Sequence, residues 1–109
     1  MADDDLVEVP EAVAEIYDAW HERHQRTGLI PARAECGRDA NGAELWCDLA
    51  DAGPDQLGRV QLYHVGRVHV LLGRYRDKPG PKLASEIARS MVLADVARDL
   101  RAWSLAGDD

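Results

Sequence analysis

The most apolar run between charged segments is residues 57–75, and its composition predicts a β-hairpin that the rest of the chain covers. Valine, leucine and tyrosine dominate the run, and Gly66 near its middle is the residue best suited to a turn. Such residues on both sides of a turn residue are typical of two strands that are joined tightly.

Two pairings of these predicted strands compete. A two-residue turn would place Leu62 opposite His69, whereas a three-residue loop ending at Gly66 would place Leu62 opposite Val68. Because a shift of one residue moves every side chain to the other face, burial of the apolar side favours the three-residue loop. The solvent-facing side of the hairpin would then carry Arg59, Gln61, Tyr63, Arg67, His69 and Leu71.

A second hairpin is predicted around Asn41 and Gly42, a dipeptide that strongly favours a two-residue type I′ turn. This turn would place Cys36 directly opposite Cys47. The pair falls at a hydrogen-bonded position of the ladder, where side chains diverge and a disulfide bond would be strained. Among a redox-sensitive bridge, a metal site and buried free thiols, the sequence favours the free thiols.

A helix over about residues 10–27 is predicted to begin at Pro10 and to end before Gly28. Its buried side would consist of Val9, Val13, Ile16, Tyr17, Trp20 and His24. On its solvent side, an acidic row is formed by Glu11, Glu15, Asp18 and Glu22. Such a row could bind cations or a basic partner, although most acidic rows are only solvated helix faces.

A last helix is predicted over about residues 82–104, and its apolar positions change side midway. In its second half the apolar residues expected to mediate self-association are Leu93, Val96, Leu100 and Trp103. One amphipathic helix lying on one sheet does not explain this change. Either the chain bends or breaks near residues 91–95, which would also allow a helix-turn-helix, or the second half packs against another subunit.

These elements predict a single α+β domain. It comprises an N-terminal helix, a four-stranded antiparallel meander sheet made of the two hairpins, and a C-terminal helix, with both helices packed on one face of the sheet. The domain is expected to span residues 9–105, between a disordered acidic tail at residues 1–8 and a second disordered tail at residues 106–109.

The net charge of −7 conceals an uneven distribution of charge. Residues 6–56 carry 11 acidic and 4 basic residues, whereas residues 57–107 carry 4 acidic and 9 basic residues. This polarity points to oppositely charged partners, or to two halves that neutralise each other where they pack. With an acidic N-terminus, two cysteines and no run of about 20 apolar residues, the chain is expected to be cytoplasmic.

The segment most suggestive of function is residues 74–82, where four cations flank a rigid Pro-Gly-Pro turn before the last helix. Cations near a helix N-terminus oppose the helix dipole, so a bound anion or an acidic partner would explain them. The predicted anion- or partner-binding residues are Arg59, Tyr63, Arg67, His69, Arg74, Arg76, Lys78 and Lys82.

Three classes of function are compatible with these features. The first is a small non-enzymatic interaction or regulatory protein that self-associates and binds an acidic partner or anion. The second is a nucleic-acid-binding protein that uses the basic outer face of the sheet, although Tyr63 is the one aromatic residue there. The third is an enzyme, for which the sequence contains no constrained nucleophile or carboxylate pair. We therefore predict an interaction module with no cofactor, metal or catalytic residue, whose partner is another protein, including a second copy of itself.

Overall fold

A computed structural model describes residues 9–106 of the chain. Within them lie three helices and one two-stranded antiparallel sheet: α1 (Glu11–Thr27), β1 (Arg33–Arg38), β2 (Glu44–Asp48), α2 (Pro54–Asp77) and α3 (Pro81–Ala106). The predicted four-stranded meander is therefore wrong, since only the hairpin around Asn41 and Gly42 forms. The predicted tails lie outside the described residues, except for Ala106, which ends α3.

The largest error concerns residues 57–75, which belong to α2 and not to a hairpin. Pro54 occupies the first position of the helix, where proline is favoured. Asp55 lies in the first turn and Arg74 and Arg76 lie in the last turn, so their charges interact favourably with the helix dipole. The buried residues recur at helical spacing, namely Leu57, Val60, His64, Leu71 and Leu72.

Glycine inside α2 misled the strand prediction. Gly58, Gly66 and Gly73 all adopt negative φ values within the helix. Each glycine costs about 1 kcal/mol relative to alanine in a helix interior. Full burial of one valine or leucine contributes about 1.5–3 kcal/mol, so the buried stripe of α2 outweighs three glycines. The helix therefore depends on its tertiary packing more than on its local propensity.

The prediction of α1 is confirmed, because the helix begins after Pro10 and ends before Gly28. Gly28 has a φ of 69°, in the left-handed region that favours glycine, and its N–H donates to the carbonyl of His24 at 2.7 Å. The Tyr17 hydroxyl donates to the carboxylate of Asp95 and so joins α1 to α3.

The hairpin of β1 and β2 forms, but its predicted register is wrong. Ala34 stands opposite Cys47, and a bulge between Glu35 and Gly37 displaces Cys36 from the ladder. The turn accounts for one residue of the shift from the predicted pairing, and the bulge accounts for the second. In the turn, Asp39 accepts hydrogen bonds from the N–H groups of Asn41 and Ala43.

These bonds select a longer loop than the predicted type I′ turn. The N–H of Gly42 donates to the Asp39 carbonyl at 3.0 Å, and Gly42 has a φ of 83°. Asp39 at the first position and Gly42 at the fourth are typical of a type I turn. Gly42 is itself the left-handed residue that follows the two central residues of this turn. One extra loop residue changes which side chains face each other along both strands.

The α3 helix is continuous, so the first of the two alternatives for it, a break near residues 91–95, does not occur. Its first half packs with Val13 of α1 and with Leu71 and Leu72 of α2. Its second half packs with Ala34 and Cys47 of the hairpin and with the first turns of α2. The change of apolar side along α3 thus reflects different neighbours within one chain. None of the helices in residues 9–106 combines the length and apolar character needed to cross a membrane.

Candidate anion-binding groove and a buried polar cluster

A groove between α2 and the hairpin brings together three arginines. Arg67 and Arg74 reach it from α2, and Arg38 reaches it from the end of β1. The cavity that they line has a volume of about 630 Å³. Its complete lining is Arg38, Glu44, Leu62, Tyr63, Gly66, Arg67, Val70, Leu71, Arg74 and Glu86. We call this cavity the arginine groove.

The helical period of α2 explains why these side chains share one wall. Tyr63, Arg67, Val70 and Arg74 follow one another at steps of four, three and four residues, so they lie along one side of the helix. The hairpin then adds Arg38, which is remote in sequence from α2. Its guanidinium donates to the carbonyl of Gly42 at 3.0 Å, a contact that ties it to the turn.

None of the three groove arginines belongs to an ion pair among residues 9–106. Glu44 and Glu86 lie on the groove wall without pairing with any of them. The Nε atom of Arg67 is buried and has no hydrogen-bond partner in the described part of the chain. A buried donor without a partner is unfavourable, so this guanidinium leaves part of its hydrogen-bonding capacity unused within the described residues.

The same groove offers apolar contacts beside its charges. Leu62 is 74% exposed and Val70 is 58% exposed, and both lie on the groove wall next to Gly66. Exposed apolar side chains beside unpaired cations favour a ligand that itself has apolar and anionic groups.

The structure places the other predicted binding residues away from this groove. Arg59 and His69 are exposed on different sides of α2, and His69 lines a separate cavity of about 260 Å³ near Tyr17. Arg76, Lys78 and Lys82 are exposed around the short connection from α2 to α3. The predicted outer sheet face does not exist, because its residues belong to a helix whose successive side chains turn by about 100°.

The four residues predicted for self-association separate into two groups. Leu93 and Val96 are only 1% and 3% exposed, because they pack in the core between α3, α2 and the hairpin. Leu100 is half-buried, whereas Trp103 is 78% exposed. The available apolar surface at this end of α3 therefore centres on Trp103.

A buried polar cluster joins β1, α2 and α3 behind the groove. Arg89 donates two hydrogen bonds to the Glu35 carboxylate, at 3.0 and 3.1 Å. His64 Nε2 lies 3.5 Å from Glu35 Oε1, and His64 Nδ1 lies 3.1 Å from Ser90 Oγ. Glu35 is 4% exposed, and His64 and Ser90 are fully buried.

The charge states in this cluster follow from burial and pairing. Burial would raise the pKa of Glu35, but the hydrogen bonds from Arg89 and the backbone, with the charges of Arg89 and His64, lower it overall. Burial lowers the pKa of His64 to about 4 against the opposing effect of Glu35, and the charges of Arg89 and Arg67 lower it further. Glu35 is thus ionised and His64 neutral at pH 7, and the buried Nε2 atom of His64 has no hydrogen-bond partner among the described residues.

Serine, histidine and glutamate in contact resemble the parts of a hydrolytic triad, but the geometry is that of a core. The Ser90 hydroxyl is fully buried, so no substrate atom can reach it in this conformation. The cluster therefore stabilises the contact between three elements. Within residues 9–106, no group of three or more His, Cys, Asp or Glu side chains is arranged to hold a metal ion.

Both cysteines are free thiols. Cys47 is buried, and burial together with a hydrogen bond and charge interaction with Cys36 raises its pKa to about 12. The Cys36 thiol donates to the carbonyl of Leu45 at 3.5 Å. A thiol with such a raised pKa is protonated at pH 7 and is a poor nucleophile.

The sequence interpretation missed Arg38, Glu35, Arg89 and Ser90 as parts of either site. The helical spacing of Val60, His64 and Leu71 is the signal that could have placed His64 on a buried helix side. The hairpin residues carry no comparable signal, since their contacts depend on how the ribbon packs on the helices.

Comparisons of this chain with protein-family models, with curated proteins and with solved structures find no match.

Proposed function

We propose that this protein is a small interaction module that binds an acidic protein segment in the arginine groove. The observation that carries the proposal is the convergence of Arg38, Arg67 and Arg74 on one cavity without an ion-pair partner among the described residues. Guanidinium groups bind carboxylates through paired hydrogen bonds, and these are stronger than bonds between neutral groups.

The apolar part of the groove supports a protein segment over a free inorganic anion. Leu62 and Val70 present aliphatic surface beside the arginines. A segment with glutamate or aspartate next to leucine or alanine would satisfy both kinds of contact. Gly66 has no side chain, so the backbone of a partner can approach α2 closely at that point.

The test is a titration with a fluorescent peptide that alternates glutamate and leucine, measured by anisotropy at low ionic strength. We expect Arg67→Ala combined with Arg74→Ala to weaken binding by roughly tenfold or more, and added salt to weaken binding to the wild type. The matched control combines Arg59→Ala with Arg76→Ala, which removes the same charge from exposed positions of α2 outside the groove.

Two results would contradict the proposal. One is equal weakening by both pairs of substitutions, which would mean that net charge and not the groove determines binding. The other is tighter binding of a single-stranded oligonucleotide than of the peptide, since stacking on Tyr63 would then explain the site better.

Self-association at the end of α3 is a second candidate function. Trp103 is 78% exposed and lies between a cavity of about 500 Å³ beside Leu49 and Leu57 and a cavity of about 410 Å³ beside His24 and Ile30. A large exposed indole next to apolar cavities is typical of an anchor that inserts into a partner.

This second candidate is tested by mass measurement in sedimentation experiments at high salt, where apolar contacts persist and charge contacts are screened. We expect an oligomer for the wild type, a monomer for Trp103→Ser, and no change for the control Trp46→Ser, whose indole is 48% exposed on the hairpin. A monomeric wild type would exclude self-association at the end of α3.

A further inference from the structure

The acidic row of α1 is free on the surface. Glu11, Glu15, Asp18 and Glu22 are all exposed, and none of them belongs to an ion pair within residues 9–106. Their steps of four, three and four residues place the four carboxylates along one straight line on the helix.

The row of α1 and the wall of the arginine groove have equal lengths. The groove wall on α2 runs from Tyr63 to Arg74 through the same steps of four, three and four residues. At a rise of 1.5 Å per residue, each line is about 16 Å long. When the two helices lie side by side and parallel, Glu15 meets Arg67 and Glu22 meets Arg74. In the same alignment Glu11 meets the hydroxyl of Tyr63, and Asp18 lies opposite Val70.

The oppositely charged halves of the chain do not neutralise each other by contact. One ion pair between an acidic residue of positions 9–56 and an arginine of positions 57–106 occurs among the described residues, and it joins Glu35 to Arg89. The remaining pairs with arginine, formed by Arg98 with Asp95 and Asp99, lie within α3. The acidic row and the groove arginines therefore both remain available to another molecule.

We infer that the acidic segment bound in the arginine groove is the α1 row of a second copy of this chain, an inference that rests on the proposed function. The opposite charge and the equal length of the two surfaces favour this occupant of the groove. The small side chains of Ala12 and Ala19 are exposed beside the row and can approach Gly66 of the groove wall. Glu44 and Glu86 on the groove wall repel carboxylates, so they restrict where along the groove the row can lie.

The row and the groove are different surfaces, so the contact is heterologous. Two copies can exchange both contacts and close into a dimer, or successive copies can form a longer assembly. Exposed ion pairs are individually weak and are screened by salt. We therefore expect association at high protein concentration and low ionic strength, and its loss at high ionic strength.

Charge exchange between the two surfaces tests this inference. One variant reverses the row, with Glu15→Arg and Glu22→Arg, and the other reverses the groove, with Arg67→Glu and Arg74→Glu. All proteins also carry Trp103→Ser, so that contacts at the end of α3 do not contribute. Sedimentation velocity at low salt should show association of the Trp103→Ser parent and only monomers of each reversed variant alone.

Mixing the two reversed variants in equal amounts should restore association, because every contact between unlike copies then joins opposite charges. The basic row of the first variant faces the acidic groove of the second, and the unchanged acidic row of the second faces the unchanged basic groove of the first. The control mixture combines the row-reversed variant with a protein that carries Arg59→Glu and Arg76→Glu outside the groove, and it should not associate more tightly than the parent. A monomeric parent, or a mixture of the two reversed variants that stays monomeric while the parent associates, would overturn the inference.

The peptide titration separates this inference from the proposed function. If the glutamate-leucine peptide binds the wild type through Arg67 and Arg74 while the parent remains monomeric, the groove binds acidic segments but not the α1 row. If the peptide does not bind and the parent remains monomeric, both the proposed function and this inference fail.

Discussion

Two regions of this protein use arginine in contrasting ways, the buried polar cluster and the arginine groove. In the cluster, Arg89 is paired through two hydrogen bonds with a carboxylate that is 4% exposed. In the groove, Arg67 and Arg74 face an open cavity without an ion-pair partner among residues 9–106. An arginine whose anion is supplied by the chain joins the elements of the fold, whereas an arginine without such an anion is free for the binding that we propose.

The largest expected effect is on the buried pair. Arg89→Met would leave the buried Glu35 carboxylate without its cation. Because the Arg89 side chain is itself 36% exposed, the free energy of unfolding should fall by about 3 kcal/mol, the lower end of the range for a buried pair. Urea denaturation measures this change. Arg74→Met, the matched change in the groove, should shift the same free energy by less than about 0.5 kcal/mol. Equal losses for the two variants would remove the distinction between the regions.

Acid should destabilise the cluster through His64. Its pKa is about 4 in the folded state, below the ordinary value of 6.5, so the unfolded chain binds the extra proton. Stability is therefore fully present above pH 6.5 and is lost as the pH falls toward 4, by at most about 3 kcal/mol. Thermal unfolding across this pH range should show the loss in the wild type, and a flatter dependence in His64→Leu. If stability depends on pH equally steeply in that variant, a group other than His64 causes the acid sensitivity.

The hairpin turn should affect both stability and the groove, because it holds Arg38. Asp39→Ala removes the acceptor for two backbone N–H groups and should cost about 1 kcal/mol in urea denaturation. It should also weaken binding of the glutamate-leucine peptide, since Arg38 loses its fixed position. Asp48→Ala, an exposed change at the far end of the hairpin, serves as the control and should leave peptide binding unchanged.

The smallest expected effect concerns the glycines of α2. A Cβ atom added at Gly66 or Gly73 meets no other atom within 4 Å, so alanine at either position should raise stability by about 0.5–1 kcal/mol. Only Gly66 lies on the groove wall. Peptide binding should therefore weaken for Gly66→Ala and stay constant for Gly73→Ala, and identical binding by both would exclude close backbone approach at the groove.

Part of the fold could be predicted from local sequence signals. Pro10 and Gly28 bracket α1 as expected, and the Asn41-Gly42 dipeptide marks a real turn. The strand prediction for residues 57–75 failed because valine content favours strands and a central glycine favours a turn locally, while burial against α3 favours a helix. The gain from burying one helix side exceeds those local preferences, and it depends on residues that are distant in sequence.

The candidate site was predictable to a similar degree. Tyr63, Arg67 and Arg74 were expected to bind a partner, and all three line the groove. Their arrangement with Arg38 was not foreseen, because it requires the hairpin to pack beside α2. Likewise, the apolar side of Leu93 and Val96 suggested another subunit, but the hairpin of the same chain covers it.

By itself, the sequence determined the acidic row, the first helix, the location of the turn at Asn41 and Gly42, and the opposite charge of the two halves. Only the tertiary structure decided which charges are paired and which stay free. Glu35 and Arg89 are 54 residues apart and meet because β1 and α3 pack together, whereas no described carboxylate comes within ion-pair distance of Arg67 or Arg74. The pairing of charges depends on distances of a few ångströms between elements, and those distances follow from the packing of apolar side chains.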